Sequence, residues 1–281
     1  MKKQSHSGST NSLIIRWIVY LATLLTFGSL LYILFFIFIK GIPNISLELF
    51  EWNFNSSNQS LVPSLINTII VVGLTLLFAT PIGVFTGVYL VEYADRTSKV
   101  TQAISMATDT LQAVPSIVYG LFGMLFFRNT LGLGYSVLAG VLTVTIMVLP
   151  LIIRSTEEAM ISVDRSLREA SYGLGAGKIR TIFQVVLPVA MPGIVSGVIL
   201  ASGRVIGETA ALIFTLGTAP NMATGLLQTG RTMAVHMYVL TNEGRNVDKA
   251  FATAVVLVLF VIVVNALANW ISDKILETGA K

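Results

Sequence analysis

Apolar residues in this chain gather into runs too long for the helices of a soluble core. Six runs stand out, at 13–39, 64–89, 111–131, 135–153, 192–216 and 250–271. A hydrocarbon core of about 30 Å is crossed by about 20 helical residues, so each run predicts one membrane span. The first is the longest and predicts a helix that tilts or protrudes. It exceeds the apolar region of a secretory signal, about 7–15 residues. It also ends in Lys40-Gly41-Ile42-Pro43 rather than at a small-residue cleavage site. It therefore reads as an uncleaved span behind a polar tail, 1–12. The third run follows a mixed stretch, 94–110, which suits a segment lying along the membrane surface.

Composition agrees. The chain is 54% hydrophobic and 11% charged, where a soluble domain carries about 25% charged residues. Its mean hydropathy is +0.80. It has no cysteine, which excludes disulfides, thiolate metal sites and cysteine nucleophiles. Its two histidines, His6 and His236, lie far apart and read as ordinary polar residues.

The net charge of +4 is small, and its distribution sets the expected orientation. With the N-terminus in the cytoplasm, the inside segments carry Lys2, Lys3, Arg16, Arg96, Lys99, Arg154, Arg165, Arg168, Lys178, Arg180, Lys274 and Lys281. The outside segments carry Lys40, Arg128, Arg231, Arg245 and Lys249. That excess inside predicts both termini in the cytoplasm. The two halves of the chain show no obvious similarity, which argues against an inverted-repeat carrier.

Between the fourth and fifth spans lies a connection, 154–188, far longer than the roughly 2–8 residues that bundled helices need. It reads as two short helices. Asp164 suits the N-cap of the first, and Gly173, Gly175 and Gly177 break it. Ile179, Ile182, Phe183 and Val186 give the second an apolar stripe, and Pro188 is expected to stop it. Such a pair fits a groove on a partner; an amphipathic pair resting on lipid headgroups has the same periodicity. Gly173-Leu174-Gly175-Ala176-Gly177-Lys178 is not a P-loop. Tyr172 stands where the first glycine belongs, and Ile179 follows the lysine where Ser or Thr is required.

Within the fifth run, Arg204 lies about 18 Å along a helix from Pro192. Arginine at that depth costs at least about 2.5–3.5 kcal/mol. Glu208 follows four residues later, on the same face of a continuous helix. The two form either a buried structural pair or part of a solute path. On the second reading the guanidinium faces the cavity, where its fork of donors matches a tetrahedral oxyanion. Glu208 holds it, and Thr209 and Ser202 add neutral hydrogen bonds. Pro81 and Pro115 interrupt apolar runs, which is tolerated at membrane depth only against protein or a watery cavity. Gly83, Gly87, Gly120 and Gly123 suit close helix contact.

Glu169-Ala170-Ser171, then Gly175, then Val185-Val186-Leu187-Pro188 resembles the EAA loop of ABC-importer permeases in sequence, spacing and place. Ser171 stands for the usual alanine and Val185 for the usual isoleucine. Arg204-Val205-Ile206-Gly207-Glu208-Thr209-Ala210-Ala211 resembles a segment of phosphate permeases. So do 114–123 and 81–93, and the likeness to the PstA-type subunit rests chiefly on 208–214.

The resemblance implies an all-α, six-span type I ABC importer permease (MetI-like) fold in the bacterial plasma membrane. It implies a membrane domain over 64–275, with the first span outside it. Glu169, Ala170, Ser171, Gly175, Leu187 and Pro188 would then form the coupling segment. Ala170, Ser171 and Gly175 would be small enough for close approach to an ATPase. The expected partners are a homologous PstC-type permease, two PstB-type ATPases, a PstS-type extracytoplasmic phosphate-binding protein and the lipid bilayer, with no nucleic acid. No cofactor is expected on this chain, since ATP and magnesium belong to the ATPase, and the chain itself is no enzyme. A permease for another oxyanion or an amino acid, and an ATPase-independent carrier or channel, are the competing readings.

Overall fold

The computed structural model describes residues 9–95, 97–242 and 246–279, and among them helices are joined by loops with no strand. Lys2, Lys3, His6, Arg96, Arg245 and Lys281, used above to weigh orientation or metal ligation, lie outside the described residues.

Five helical stretches are long and apolar enough to span a membrane: Ser12–Asn44, Val62–Glu92, Val137–Ser162, Lys178–Ile206 and Val247–Trp270. A bent pair, Lys99–Ala113 with Ser116–Thr130, makes a sixth if taken as one crossing. Six runs thus become five straight spans and one broken one. The helices are α1 (Ser9–Gly41), α2 (Val62–Glu92), α3 (Lys99–Ala113), α4 (Ser116–Gly123), α5 (Val137–Ser162), α6 (Arg165–Gly173), α7 (Lys178–Thr181), α8 (Leu187–Ile206), α9 (Ala210–Thr215), α10 (Met233–Asn242) and α11 (Val247–Gly279). The end of the bundle that carries α6 and α7 is called the loop end below.

The third span is not the continuous 111–131 expected. Residues 111–113 close α3, and the chain turns by 104° before α4 begins. Proline's ring excludes the helical region for the residue before it. Val114 is accordingly extended at φ −69°, ψ 128°, and Pro115 follows at φ −60°, ψ 141°. The Tyr119 hydroxyl donates to Leu111 O at 2.7 Å, pairing one of the carbonyls that a helix end leaves open. The stretch 94–110 therefore belongs mostly to a helix set across the next one. A π-helical turn, Met124–Thr130, continues α4.

Two further boundaries differ from expectation. The fifth span starts earlier than 192 and its α-helix ends at Ile206 rather than near 216. Pro188 does not stop it. A π-helical turn, Ile182–Val186, stands just before the proline, with Leu187 N–H reaching back to Ile182 O. That wider turn leaves room for the ring against the preceding backbone. The fourth span runs to Ser162 instead of 153, so the connecting loop begins at 163. Hydropathy falls at Arg154, but the helix continues because Arg154 Nη1 bonds Glu157 Oε2 one turn on, at 2.8 Å.

The core centres on α5, 67% of whose most apolar stretch is buried, against none of α1's. Val144, Met147, Val148 and Ile152 of α5 meet Val71 and Ala79 of α2 and Ala201 and Val205 of α8. Glycine sets the α2–α5 approach: a Cβ on Gly83 would lie 2.7 Å from Ile152 Cγ2, and one on Gly87 2.7 Å from Thr156 Cβ. Without a hydrophobic difference between lipid and side chain, such close backbone packing holds spans together. α1 packs against α11, where Phe36 meets Phe251 edge-on at 5.7 Å. From Trp17 to Phe35 α1 is almost wholly exposed and largely apolar all round, as suits a helix surrounded by lipid.

At the end opposite the loops, buried Asn67 of α2 binds three backbone groups of 218–232. Its amide donates to Asn221 O at 2.9 Å and Arg231 O at 3.2 Å, and its carbonyl accepts from Ala223 N–H at 2.9 Å. Lys249 of α11 donates to Ser57 O and Asn58 O at 3.0 and 2.9 Å, pinning the 42–61 loop.

Replacing Gly87 by Val should force α2 from α5 and lower the thermal midpoint in detergent. Overpacking of this kind costs about 1–3 kcal/mol. Gly73→Val is the control, since a Cβ there meets nothing within 4 Å, and its midpoint should change far less.

Candidate functional site

At the loop end, α5, α6 and α7 form a bracket. Asp164 caps α6, its carboxylate accepting from Ser166 N–H at 2.8 Å. That bond and the Ser166 hydroxyl hold the Asp164 pKa below the ordinary value. The helix ends at Gly173, and the chain turns back through Gly175 at φ +83°. Within this chain a Cβ at 175 would meet open space. The left-handed backbone at this turn requires the glycine.

The motif residues divide by exposure. Glu169, Ala170, Gly175 and Pro188 are exposed, and Leu187 is half-buried. Ser171 is buried, sharing a 2.9 Å hydrogen bond with Thr181 that ties α6 to α7. The expected apolar stripe also divides. Ile182 and Val186 pack inward with Met160 and Val163, while Ile179 is 66% and Phe183 49% exposed. Leu174, at the tip of the turn, is 90% exposed. Leu174, Ile179 and Phe183, with Leu167 and Tyr172 of α6, are thus apolar groups that the bracket presents outward.

One guanidinium holds the bracket to the spans. Arg168 donates to Glu92 Oε1 through Nε at 3.2 Å and Nη2 at 3.0 Å. It also donates to Val163 O and Met160 O, both at 2.8 Å. Lys178 donates to Glu92 O and lies 4.5 Å over the Tyr93 ring. Sequence reading counted Arg168 and Lys178 only as inside charges. The available signal was a lone acid, Glu92, closing an apolar run opposite a basic loop. A second ion pair, Arg154 with Asp109 and Glu157, joins α3 to α5 nearer the bundle.

Mid-chain, Arg204 and Glu208 do not share a helical face. α8 stops at Ile206, and Gly207 turns the chain. Glu208 is buried, and its Oε1 accepts from Ala211 N–H at 2.9 Å. The carboxylate satisfies an open donor in the first turn of α9, where negative charge is favoured. Arg204, half-buried in the last turn of α8, makes no salt bridge among the described residues. Its charge is complemented by the carbonyl end of its own helix, and it lies within electrostatic range of Tyr119 on α4. Ser202 is buried with its hydroxyl donated to Ile199 O at 2.7 Å, so the free donor expected there is used by its own helix. Thr209 is half-buried and reaches Gly207 O only at 3.4 Å. The arrangement is a cation at a helix break, with the acid four residues on bonded to the backbone of α9, which can receive an anion.

His236 of α10, read from the sequence as an ordinary polar residue, lies in the interior. It is fully buried, edge-on to Phe54 at 6.2 Å, and the Arg231 guanidinium lies 4.8 Å over the same Phe54 ring. Burial, then the neighbouring Arg231 charge, lower its pKa to about 3.

Residues 79–277 match the model of the family described as "Binding-protein-dependent transport system inner membrane component". The chain is 36% identical over 258 residues to "Probable ABC transporter permease protein YqgI" of Bacillus subtilis (strain 168), covering 85% of this chain and 87% of that one. It is 35% identical over 212 residues to "Phosphate transport system permease protein PstA 1" of Mycobacterium tuberculosis (strain CDC 1551 / Oshkosh), covering 74% and 69%. Among solved structures, a chain of a bacterial alginate ABC transporter in complex with alginate pentasaccharide-bound periplasmic protein superposes with a TM-score of 0.69. The overlap covers 95% of this chain and 97% of that one at 15% identity, a likeness of fold.

Because the His236 pKa lies below its unfolded value of 6.5, the unfolded chain binds the proton more readily. Its contribution to stability is complete above pH 6.5 and is lost progressively as pH falls toward about 3. The thermal midpoint should therefore drop between pH 6.5 and 5, and His236→Gln should flatten that part of the profile.

Proposed function

The chain belongs to the family of binding-protein-dependent transport system inner membrane components, and from that premise we propose that it is the PstA-type permease subunit of a phosphate importer. It is a multi-pass membrane protein of an ABC transporter and carries out no covalent chemistry; ATP hydrolysis belongs to a separate subunit. The phosphate assignment is supported by relatives named for phosphate transport. The observation that carries it in this chain is Arg204, half-buried at the α8–α9 break while Glu208 is held by Ala211 N–H.

The chemistry follows from that geometry. Phosphate crossing the membrane needs a partner for its charge at depth, and a guanidinium supplies two parallel donors to adjacent oxygens. Arg204 is not neutralised by a carboxylate, so it attracts the anion. The carbonyls of the last α8 turn oppose part of its charge and keep the attraction weak enough for release. Thr209 adds a hydroxyl beside the break. Ser202 can accept a hydrogen bond from a protonated phosphate oxygen but does not donate while bound to Ile199 O.

The loop end faces the cytoplasm, as do both termini. Leu174, Ile179 and Phe183 enter a groove of a PstB-type ATPase, with exposed Glu169 and Ala170 beside them. ATP and magnesium are held there, and this chain holds no cofactor. A PstC-type permease completes the passage, and a PstS-type binding protein delivers phosphate at the opposite end. Closure of two ATPases would move the α6–α7 brackets and alternate the access of the Arg204 region between the two sides.

Cells lacking this gene, supplied with it and its partner subunits, should regain high-affinity uptake of labelled phosphate. Losing a charged hydrogen bond costs about 1.5–3 kcal/mol, so Arg204→Gln should lower uptake about tenfold or more while reaching the membrane normally. Normal transport by that variant would make Arg204 structural. If the unaltered gene restores nothing, phosphate is the wrong solute. Leu174→Asp with Ile179→Asp should separate the permease from its ATPase on affinity purification, with the spans still folded.

A further inference from the structure

The bracket that meets the ATPase must pass its movement to the spans, and the contacts at the loop end differ in their capacity to do so. α6 packs chiefly on α7 and on the π-helical turn that leads into α8. By that route a displacement reaches α8 through a segment whose own helix is widened. The other route is polar. Arg168 on α6 grips Glu92, the last residue of α2, and also the Met160 and Val163 carbonyls at the end of α5. Lys178 of α7 adds a bond to the Glu92 carbonyl. One guanidinium thus joins α6 to the ends of both α2 and α5, the two spans most closely packed in the bundle.

We infer that Arg168 and Glu92 form a positioning pair, a strut that makes the coupling bracket and the loop end of α2 move as one body. This rests on the reading of the chain as a permease driven by a separate ATPase. The side chains of the pair are 16% and 9% exposed. The Arg154–Asp109 pair nearby is 36% and 56% exposed. Exposed pairs of that kind are screened by salt and contribute little, whereas the Arg168 fork is held by three different acceptors in fixed directions. A push on the bracket therefore arrives at Glu92 rather than being lost in side-chain rotation. α2 lies against α5 through Gly83 and Gly87, with little slack, so its displaced end carries the movement on into the bundle.

The chain has no cysteine, which gives a direct test. Glu92→Cys with Arg168→Cys is assembled with cysteine-free partner subunits and binding protein in proteoliposomes. ATP-driven phosphate uptake and ATP hydrolysis are measured together. Unlinked, the double variant should hydrolyse ATP at a rate near that of the unaltered transporter while uptake falls about tenfold. Joining the two thiols with a bifunctional maleimide should restore much of the uptake, and single-cysteine variants given the same reagent should not change. Normal uptake without the link would show that the ion pair transmits nothing. A linked transporter that remains inactive would show that the bracket must slide past α2. Either result overturns the strut. If the double variant does not assemble, Glu92→Gln keeps the hydrogen-bond acceptor and removes the charge. It should still raise the number of ATP molecules consumed per phosphate, and an unchanged ratio overturns the proposal. Failure of the unaltered transporter to take up phosphate at all would instead overturn the function on which the strut rests.

Discussion

A backbone amide or carbonyl inside a bilayer has no water to bond, and every departure from helix must find its partner within the protein. The organisation of this chain follows from how that demand is met at two interior breaks. At Val114-Pro115 the Tyr119 hydroxyl takes up Leu111 O, and at Gly207 the Glu208 carboxylate takes up Ala211 N–H. Each repair uses a polar side chain from just beyond the break. The second has a chemical result: Glu208, turned toward the backbone of α9, makes no salt bridge with the arginine that precedes it.

The two ends of the bundle are held by different means. Opposite the loops, the Asn67 amide gathers backbone groups from a long irregular segment, and the Lys249 ammonium holds carbonyls of the 42–61 loop. At the loop end the joints are ionic, and Arg168 joins the ends of two spans to a short helix. An amide joint fixes a loop in place. An ionic joint with a fork of donors also resists rotation.

Span number, counting the broken span as one, helical class and the pair of short helices at the loop end were legible in the sequence because each depends on local pattern: apolar run length, cap residues and glycine placement. Asp164 at the α6 N-cap was legible for the same reason. The breaks were harder. Pro115 marked one, but Gly207 lies within an apolar run and its effect depends on a buried acid finding Ala211. Pro188 misled in the other direction, since the π-helical turn that accommodates it leaves no mark in hydropathy. The inward packing of Ile182 and Val186, and the bond between Arg168 and Glu92 across 76 positions, are tertiary facts that no local pattern contains.

The π-helical turn at Ile182–Val186 has one more residue in its turn than an α-helix would have there. Each residue of an α-helix turns the chain by about 100°. In the wider π-helical turn each residue rotates the chain less, so the extra residue is absorbed and α8 leaves the turn in nearly the phase that a regular helix one residue shorter would give. The direction of Arg204 relative to the α6–α7 bracket is therefore preserved across the turn, while Pro188 gains the room its ring needs. Deleting one residue there would keep that angular phase and instead press the Pro188 ring against the backbone before it.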